Sequence, residues 1–165
     1  MWAPRYEKRP ARHVSFLGIH TCIPAIETEK SKTRINYTAT ALTSDLANHV
    51  RGKLGVVFNR EYDVLTDLAT TGSKKYRGVE TGGLKYSSLF MGAGEQRMLL
   101  LLEEIFRSPE NGLILVDEID LLLHGDALYR FLTVASQRAK QRSLQIVFTS
   151  HRERLLDFDH LINVR

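Results

Sequence analysis

The apolar positions are most regular after residue 90. Met98, Leu101, Leu102 and Ile105 recur at the three- and four-residue spacing of one helical face, which predicts an amphipathic helix over Glu95 to Phe106. Ser108-Pro109-Glu110-Asn111-Gly112 then breaks the chain. Leu113-Ile114-Leu115-Val116 is a continuous apolar run of strand length and reads as a strand buried on both faces. Leu128, Phe131, Leu132 and Ala135 mark a second helix, with Asp126 placed to cap its N-terminus. Gln145 to Thr149 predicts another strand, and His160 to Val164 a third. Strand, helix, strand, helix, strand is the order of a mostly parallel sheet with right-handed crossovers and flanking helices, so the predicted class is α/β.

The pattern before residue 90 is looser. His13 to Ile19 alternates enough to suggest a strand, and residues 28–38, polar and β-branched, read as a loop or arm. Ala39, Leu42, Leu46 and Val50 have helical spacing, which places a helix over Thr40 to Val50. Thr70 to Gly83 (TTGSKKYRGVETGG) has few apolar residues and many turn formers, and reads as an exposed loop. No internal repeat or low-complexity linker divides the chain. Residues 1–90 are therefore a loosely assigned arm with helical and strand segments, and residues 91–165 a better-defined lobe.

Composition narrows the class. The chain has 165 residues, 43% hydrophobic and 25% charged, as in one ordinary globular domain. About 68–70% of the unfolded surface can be buried at this size, enough for a real core. No apolar run approaches the length of about 18 residues that a membrane-spanning helix needs, and MWAPRYEKRPAR has no apolar stretch for an export signal. The single cysteine, Cys22, excludes an intramolecular disulfide and a cysteine-based zinc site. A cytoplasmic protein without a membrane partner is the expectation. Charge is uneven: residues 1–97 carry 15 Lys and Arg against 9 Asp and Glu, whereas residues 98–165 carry 8 against 10. A basic first part, with Arg5, Lys8, Arg9 and Arg12 clustered, suits either nucleic-acid contact or an ordinary solvated surface.

Ligands of open α/β sheets sit beyond the carboxyl ends of the strands. Asp117-Glu118 follows the apolar run ending at Val116, and Ser150-His151 follows the strand ending at Thr149. A carboxylate such as Asp117 suits Mg²⁺, which prefers hard oxygen ligands and keeps several waters. Glu118 is placed to orient and deprotonate an attacking water. His151 is a candidate donor to a phosphoryl oxygen in transfer. Either acid alone is more often a helix start or a solvated turn; their conjunction with His151 is what points to chemistry. Gly92-Ala93-Gly94-Glu95 precedes the first clear helix, where small residues allow close approach and free N–H groups favour an anion.

Four segments, taken in order, resemble ABC-type ATPase heads. Met91-Gly92-Ala93-Gly94-Glu95 resembles the signature loop, Leu113 to Glu118 the Walker B strand, Leu123-His124 the D-loop, and Thr149-Ser150-His151 the switch histidine. The resemblance leans to the branch containing the SMC, RecF and OLD-type ATPases and bacterial anti-phage and retron-associated AAA ATPases. It covers residues 91–151 well and residues 1–90 loosely. It implies the C-terminal lobe of a P-loop head whose cofactors are ATP and Mg²⁺. It implies as well a second head as partner, with nucleic acid or an effector such as a nuclease as further candidates. By the same resemblance Asp117 positions Mg²⁺, Glu118 is the catalytic base and His151 senses the γ-phosphate. Gly92, Ala93, Gly94, Glu95 and His124 then contact nucleotide across the head–head interface. DNA repair, DNA maintenance and phage defence are the implied settings. Gly92 stands where the family usually has a serine hydroxyl facing the γ-phosphate.

The phosphate-binding motif Gly-x-x-x-x-Gly-Lys-[Ser/Thr] occurs nowhere among the eleven glycines. Gly78 and Gly83 have the right offset, but Leu84 follows where lysine is required; Gly52-Lys53 has Ala47 at the leading position and Leu54 after it. ATPase activity is thus expected only when a Walker A-bearing half completes the site. Truncation of a longer protein, a separate polypeptide and a degenerate, non-catalytic module that binds a partner protein or DNA are the three explanations; truncation is the favoured one.

Overall fold

The computed structural model describes residues 11–30, 35–70 and 74–163. Strand β1 is Val14–Leu17, followed by a 3-10 turn at Ile19–Cys22 and the single-turn helix α1 at Ala25–Thr28. Strand β2 (Tyr37–Ala41) leads to helix α2 (Asp45–Phe58), and then come strands β3 (Val64–Thr70), β4 (Lys75–Thr81) and β5 (Leu84–Ser87). Helix α3 (Ala93–Arg107), strand β6 (Leu113–Val116), helix α4 (Gly125–Arg142) and strand β7 (Gln145–Phe148) complete the regular elements, before a 3-10 turn at Glu153–Phe158. The chain is α/β, with a three-stranded parallel sheet in the order β1-β6-β7 and a four-stranded antiparallel sheet in the order β2-β3-β4-β5. Among the described residues no helix is long and apolar enough to cross a membrane.

In the parallel sheet, Val14, Phe16, Leu113, Leu115 and Val147 register on one face, and Leu17, Ile114, Val116, Ile146 and Phe148 on the other. The second face is packed into the core, where Ile114 is fully buried and joins Met98, Leu102, Ile105, Leu128 and Phe131 of α3 and α4. The first face has no covering layer among the described residues: Val14 is 54% exposed, Phe16 64% and Val147 47%. The apolar run of β6 is therefore buried on one face only, with Leu113 and Leu115 half-buried, contrary to the two-sided burial its composition predicts. Among the described residues β7 has β6 as its sole strand neighbour, and a groove of about 1100 Å³ runs beside it, lined in part by Leu132, Ala135, Ile146, Phe148 and Leu161.

Several local expectations need correction. The stretch over Thr70 to Gly83 is no loop: β4 occupies Lys75–Thr81 between β3 and β5, with Val79 2% exposed. An antiparallel strand with one solvated face needs few apolar residues. Gly82 and Gly83, at φ 55° and 81°, make the tight turn that pairs Thr81 with Leu84. Residues 37–41 are a strand, so the helix predicted from Thr40 begins instead at Asp45. Ser44 caps it, its Oγ accepting the Ala47 amide at 3.2 Å. The helix runs past Gly52 and Gly55 to Phe58, and Gly55 leaves room for the carbonyl of Arg60, only 2.8 Å from where a Cβ would stand. His124, and not Asp126, is the N-cap of α4; Asp126 lies in the first turn, where its charge suits the helix dipole. The third strand expected over His160 to Val164 is a turn and irregular chain through residue 163, with Val164 outside the described residues; β1 takes its place in the sheet. The basic cluster of Arg5, Lys8 and Arg9 also lies outside the described residues, while Arg12 binds the carbonyls of Asn111 and Gly112 beside β6.

Candidate functional site

Strand β6 is the middle strand, and its last residue, Val116, delivers Asp117 and Glu118 to the carboxyl edge of the sheet. The loop after β7 meets them there. Thr149 accepts the Glu118 amide on its hydroxyl at 2.9 Å and donates that hydroxyl to Asp117 Oδ1 at 2.8 Å. Its backbone is locked as well, through Thr149 N to Val116 O (3.1 Å) and Ile119 N to Thr149 O (3.0 Å). His151 Nε2 lies 3.3 Å from Glu118 Oε1, with the imidazole 85% exposed and the carboxylate 25%. Arg152 Nε pairs with Asp120 Oδ2 at 3.1 Å and holds the His151 segment against the loop after β6.

Beneath the pair sits a side chain that sequence patterning does not mark. Arg97, on the inward face of α3, is fully buried, and its Nη2 donates to the carbonyls of Asp117 (2.7 Å) and Glu118 (2.8 Å). Its Nη1 donates to Thr21 Oγ1 at 3.4 Å and to Cys22 Sγ. Burial lowers its pKa from the ordinary arginine value, while the charges of Glu118, Asp117 and Asp120 oppose that shift. The fork of Arg97 and the Thr149 hydroxyl together fix a strained backbone: Glu118 has φ 50°, a conformation that costs a side chain about 1–3 kcal/mol. The only textual sign of Arg97 is a charged residue among the apolar positions of an amphipathic helix, next to the glycines.

The Gly92–Glu95 segment opens α3, with Gly92 as the N-cap and no side chain capping the turn. Gly94 is close-packed: a Cβ there would stand 2.4 Å from the carbonyl of Leu122, itself at φ 69°. Gly92 is open, with nothing within 4 Å of its would-be Cβ. Glu95 Oε1 accepts from Arg60 Nη2 (2.5 Å), Tyr62 OH (2.6 Å) and Tyr86 OH (2.9 Å), which ties the first turn of α3 to the end of α2 and to the antiparallel sheet. Burial and the Glu95 contact push the pKa of both tyrosines up. Ala93 is half-buried in the same turn, and His124 is exposed at the start of α4. The two glycine-rich and acidic segments thus meet within one chain, through Gly94 against Leu122 and Arg97 beneath Asp117 and Glu118.

A family model described as "AAA domain, putative AbiEii toxin, Type IV TA system" matches residues 23–157, a span that contains every residue named in this site except Thr21 and Cys22. The chain belongs to that AAA-domain family. It is accordingly a P-loop NTPase-type domain, a kind that uses nucleotide and Mg²⁺. No curated protein matches the chain. The donor set of this AAA domain suits a shared Mg²⁺ better than a caged one. Among the described residues no group of three or more His, Cys, Asp and Glu could enclose a metal, and Asp117 offers the one-carboxylate mode in which Mg²⁺ is completed by phosphate and water.

Proposed function

We propose that this AAA domain is the Walker B and signature portion of an ABC-type ATPase, acting when a phosphate-loop half completes it. The observation that carries this reading is the convergence of Asp117, Glu118, Thr149 and His151 at the carboxyl ends of two adjacent parallel strands. Bound Mg²⁺ supplies charge neutralisation on the nucleotide phosphates. Asp117 holds that ion, its carboxylate oriented by the Thr149 hydroxyl. Glu118 accepts the proton of the attacking water, its backbone pinned by Arg97 and Thr149. His151, next to Glu118 and open to solvent, donates to the phosphoryl oxygen.

Two unfinished surfaces support completion by another half. Among the described residues the parallel sheet has one bare apolar face, although parallel sheets are ordinarily covered on both. β7 leaves an edge and a groove where a further strand and its helix fit, next to Thr149 and His151. Pairing of two heads is supported by the apolar residues flanking the glycine segment: Phe90 is 80% exposed and Leu122 44%. Gly92, Ala93 and Gly94 then face nucleotide held by the second head, with Glu95 bracing the turn and His124 at the rim. The family description favours a toxin–antitoxin or phage-defence setting over DNA repair.

The test joins the chain to a segment carrying Gly-x-x-x-x-Gly-Lys-[Ser/Thr] and measures ATP turnover with native Glu118 and with Glu118→Gln. Turnover falls about 100-fold or more in the variant while nucleotide binding persists, the size expected for loss of a general base. Unchanged turnover overturns the assignment. A non-catalytic binding module is the second reading, favoured by the absence of a phosphate-binding motif from all 165 residues. It predicts no nucleotide binding in the joined protein, and DNA binding with a steep salt dependence.

A further inference from the structure

Away from the carboxyl edge of the sheet, α2, the end of α3 and the second half of α4 border an open pocket of about 250 Å³. It is too small for a drug-sized ligand and roomy for a tetrahedral anion with a few waters. His49 and Lys53 line it from α2, Phe106 from α3, and Val134, Gln137, Arg138 and Gln141 from α4. No carboxylate lines it. The guanidinium of Arg138 lies over the Phe106 ring, 4.9 Å from its centroid, and His49 stacks on the same ring at 6.2 Å. Arg138 Nη2 donates to the carbonyl of Phe106 at 3.1 Å, the end of α3, while its Nε is buried with no acceptor among the described residues. Lys53, Gln137 and Gln141 likewise have no side-chain hydrogen bond or ion pair among the described residues.

A cation that is partly desolvated and has no counter-ion is an unfavourable arrangement unless an anion enters. Burial and the nearby Arg142 charge both work against the charged form of Arg138. The pocket therefore holds two cations and two amides with donor capacity around an apolar floor and no carboxylate in its lining, while the His49 imidazole donates its Nδ1–H to the carbonyl of Asp45 at 2.7 Å. We propose that this pocket binds a phosphate group, with Arg138 and Lys53 supplying the charge and Gln137 and Gln141 the additional donors. A planar, permanently charged guanidinium held by an aromatic ring is a pre-aimed phosphate ligand. The site lies in the helical layer and does not depend on the ATPase reading; its occupant is either free phosphate or a phosphate of a nucleic-acid backbone.

The full chain is titrated with inorganic pyrophosphate, and separately with a short DNA duplex, while backbone amide resonances are followed by NMR at constant ionic strength. Saturable shifts confined to residues 49–53, 106 and 134–141 are expected. Lys53→Gln, a change at a half-buried position of α2, weakens that binding about fivefold or more, and Arg138→Gln about tenfold or more. Saturation by pyrophosphate and not by duplex identifies a free-anion site; saturation by duplex, lost in Lys53→Gln, identifies backbone recognition. Shifts that are absent, spread over the whole surface, or unaltered in Lys53→Gln overturn the proposal, whatever the fate of Glu118→Gln. Should Arg138→Gln unfold the chain through loss of the Phe106 contact, Lys53→Gln alone decides.

Discussion

At the scale of single residues, the candidate site depends on the groups that hold Asp117 and Glu118 in place as much as on the two carboxylates. Arg97 has no solvent to fall back on, so replacing it by methionine leaves the Asp117 and Glu118 carbonyls without their donor. Arg97→Met is expected to lower stability by about 2–4 kcal/mol, read from chemical denaturation, because buried acceptors lose a charged partner. A loss under about 0.5 kcal/mol would show that the fork contributes little. Tyr62 gives a pH signature. Its pKa is raised in the folded chain, first by burial and then by the Glu95 hydrogen bond, so the folded state keeps the proton that the unfolded state releases above about pH 10. The stability it contributes is complete below that pH and declines as pH rises above it. Tyr62→Phe should flatten the alkaline decline of the melting temperature; an unchanged slope would assign the decline to other groups.

At the scale of elements, the glycines before α3 have opposite requirements despite lying two residues apart. Gly94 allows the helix start to press against Leu122, and Gly94→Ala must move backbone to relieve a 2.4 Å contact. Gly92 has open space and φ −60°, so Gly92→Ser places a hydroxyl there without strain. Melting temperatures of the two variants check this: Gly94→Ala is expected to drop by several degrees and Gly92→Ser to stay within about one. The elements flanking this segment were legible to different degrees. α3, β6, α4 and β7 announce themselves because a helix or strand packed on a core must repeat its apolar residues at a fixed period. β4 did not, because an antiparallel strand with a wet face is stabilised by ladder hydrogen bonds to β3 and β5 that leave little compositional trace; Gly82-Gly83 was its one readable mark. Asp117, Glu118 and His151 could be singled out as candidates because strand ends are where ligands of such sheets bind, and the fold brings them together. Arg97 and Thr149 could not, since their importance lies in contacts that exist only once α3 and β7 are docked.

At the scale of the whole molecule, the asymmetry of the parallel sheet decides how the chain behaves. One face is sealed by α3 and α4, and the other presents Val14, Phe16 and Val147 to solvent. Such a surface draws chains together, so sedimentation is expected to show self-association of the chain at micromolar concentrations. Phe16→Lys should reduce it, and association unaffected by Phe16→Lys would locate the contact elsewhere.

The pairing of β1 with β6 has a consequence in time. Val14 faces Leu113 across a separation of ninety-nine residues, whereas β3, β4 and β5 meet through short connections. Closing so long a loop costs entropy before any contact rewards it. The antiparallel meander therefore forms early, and the parallel sheet must wait for β6. As the chain leaves the ribosome, the edge that carries Asp117 and Glu118 takes its shape after the meander, and Thr149, arriving later still, sets the moment at which the two carboxylates are first held in place.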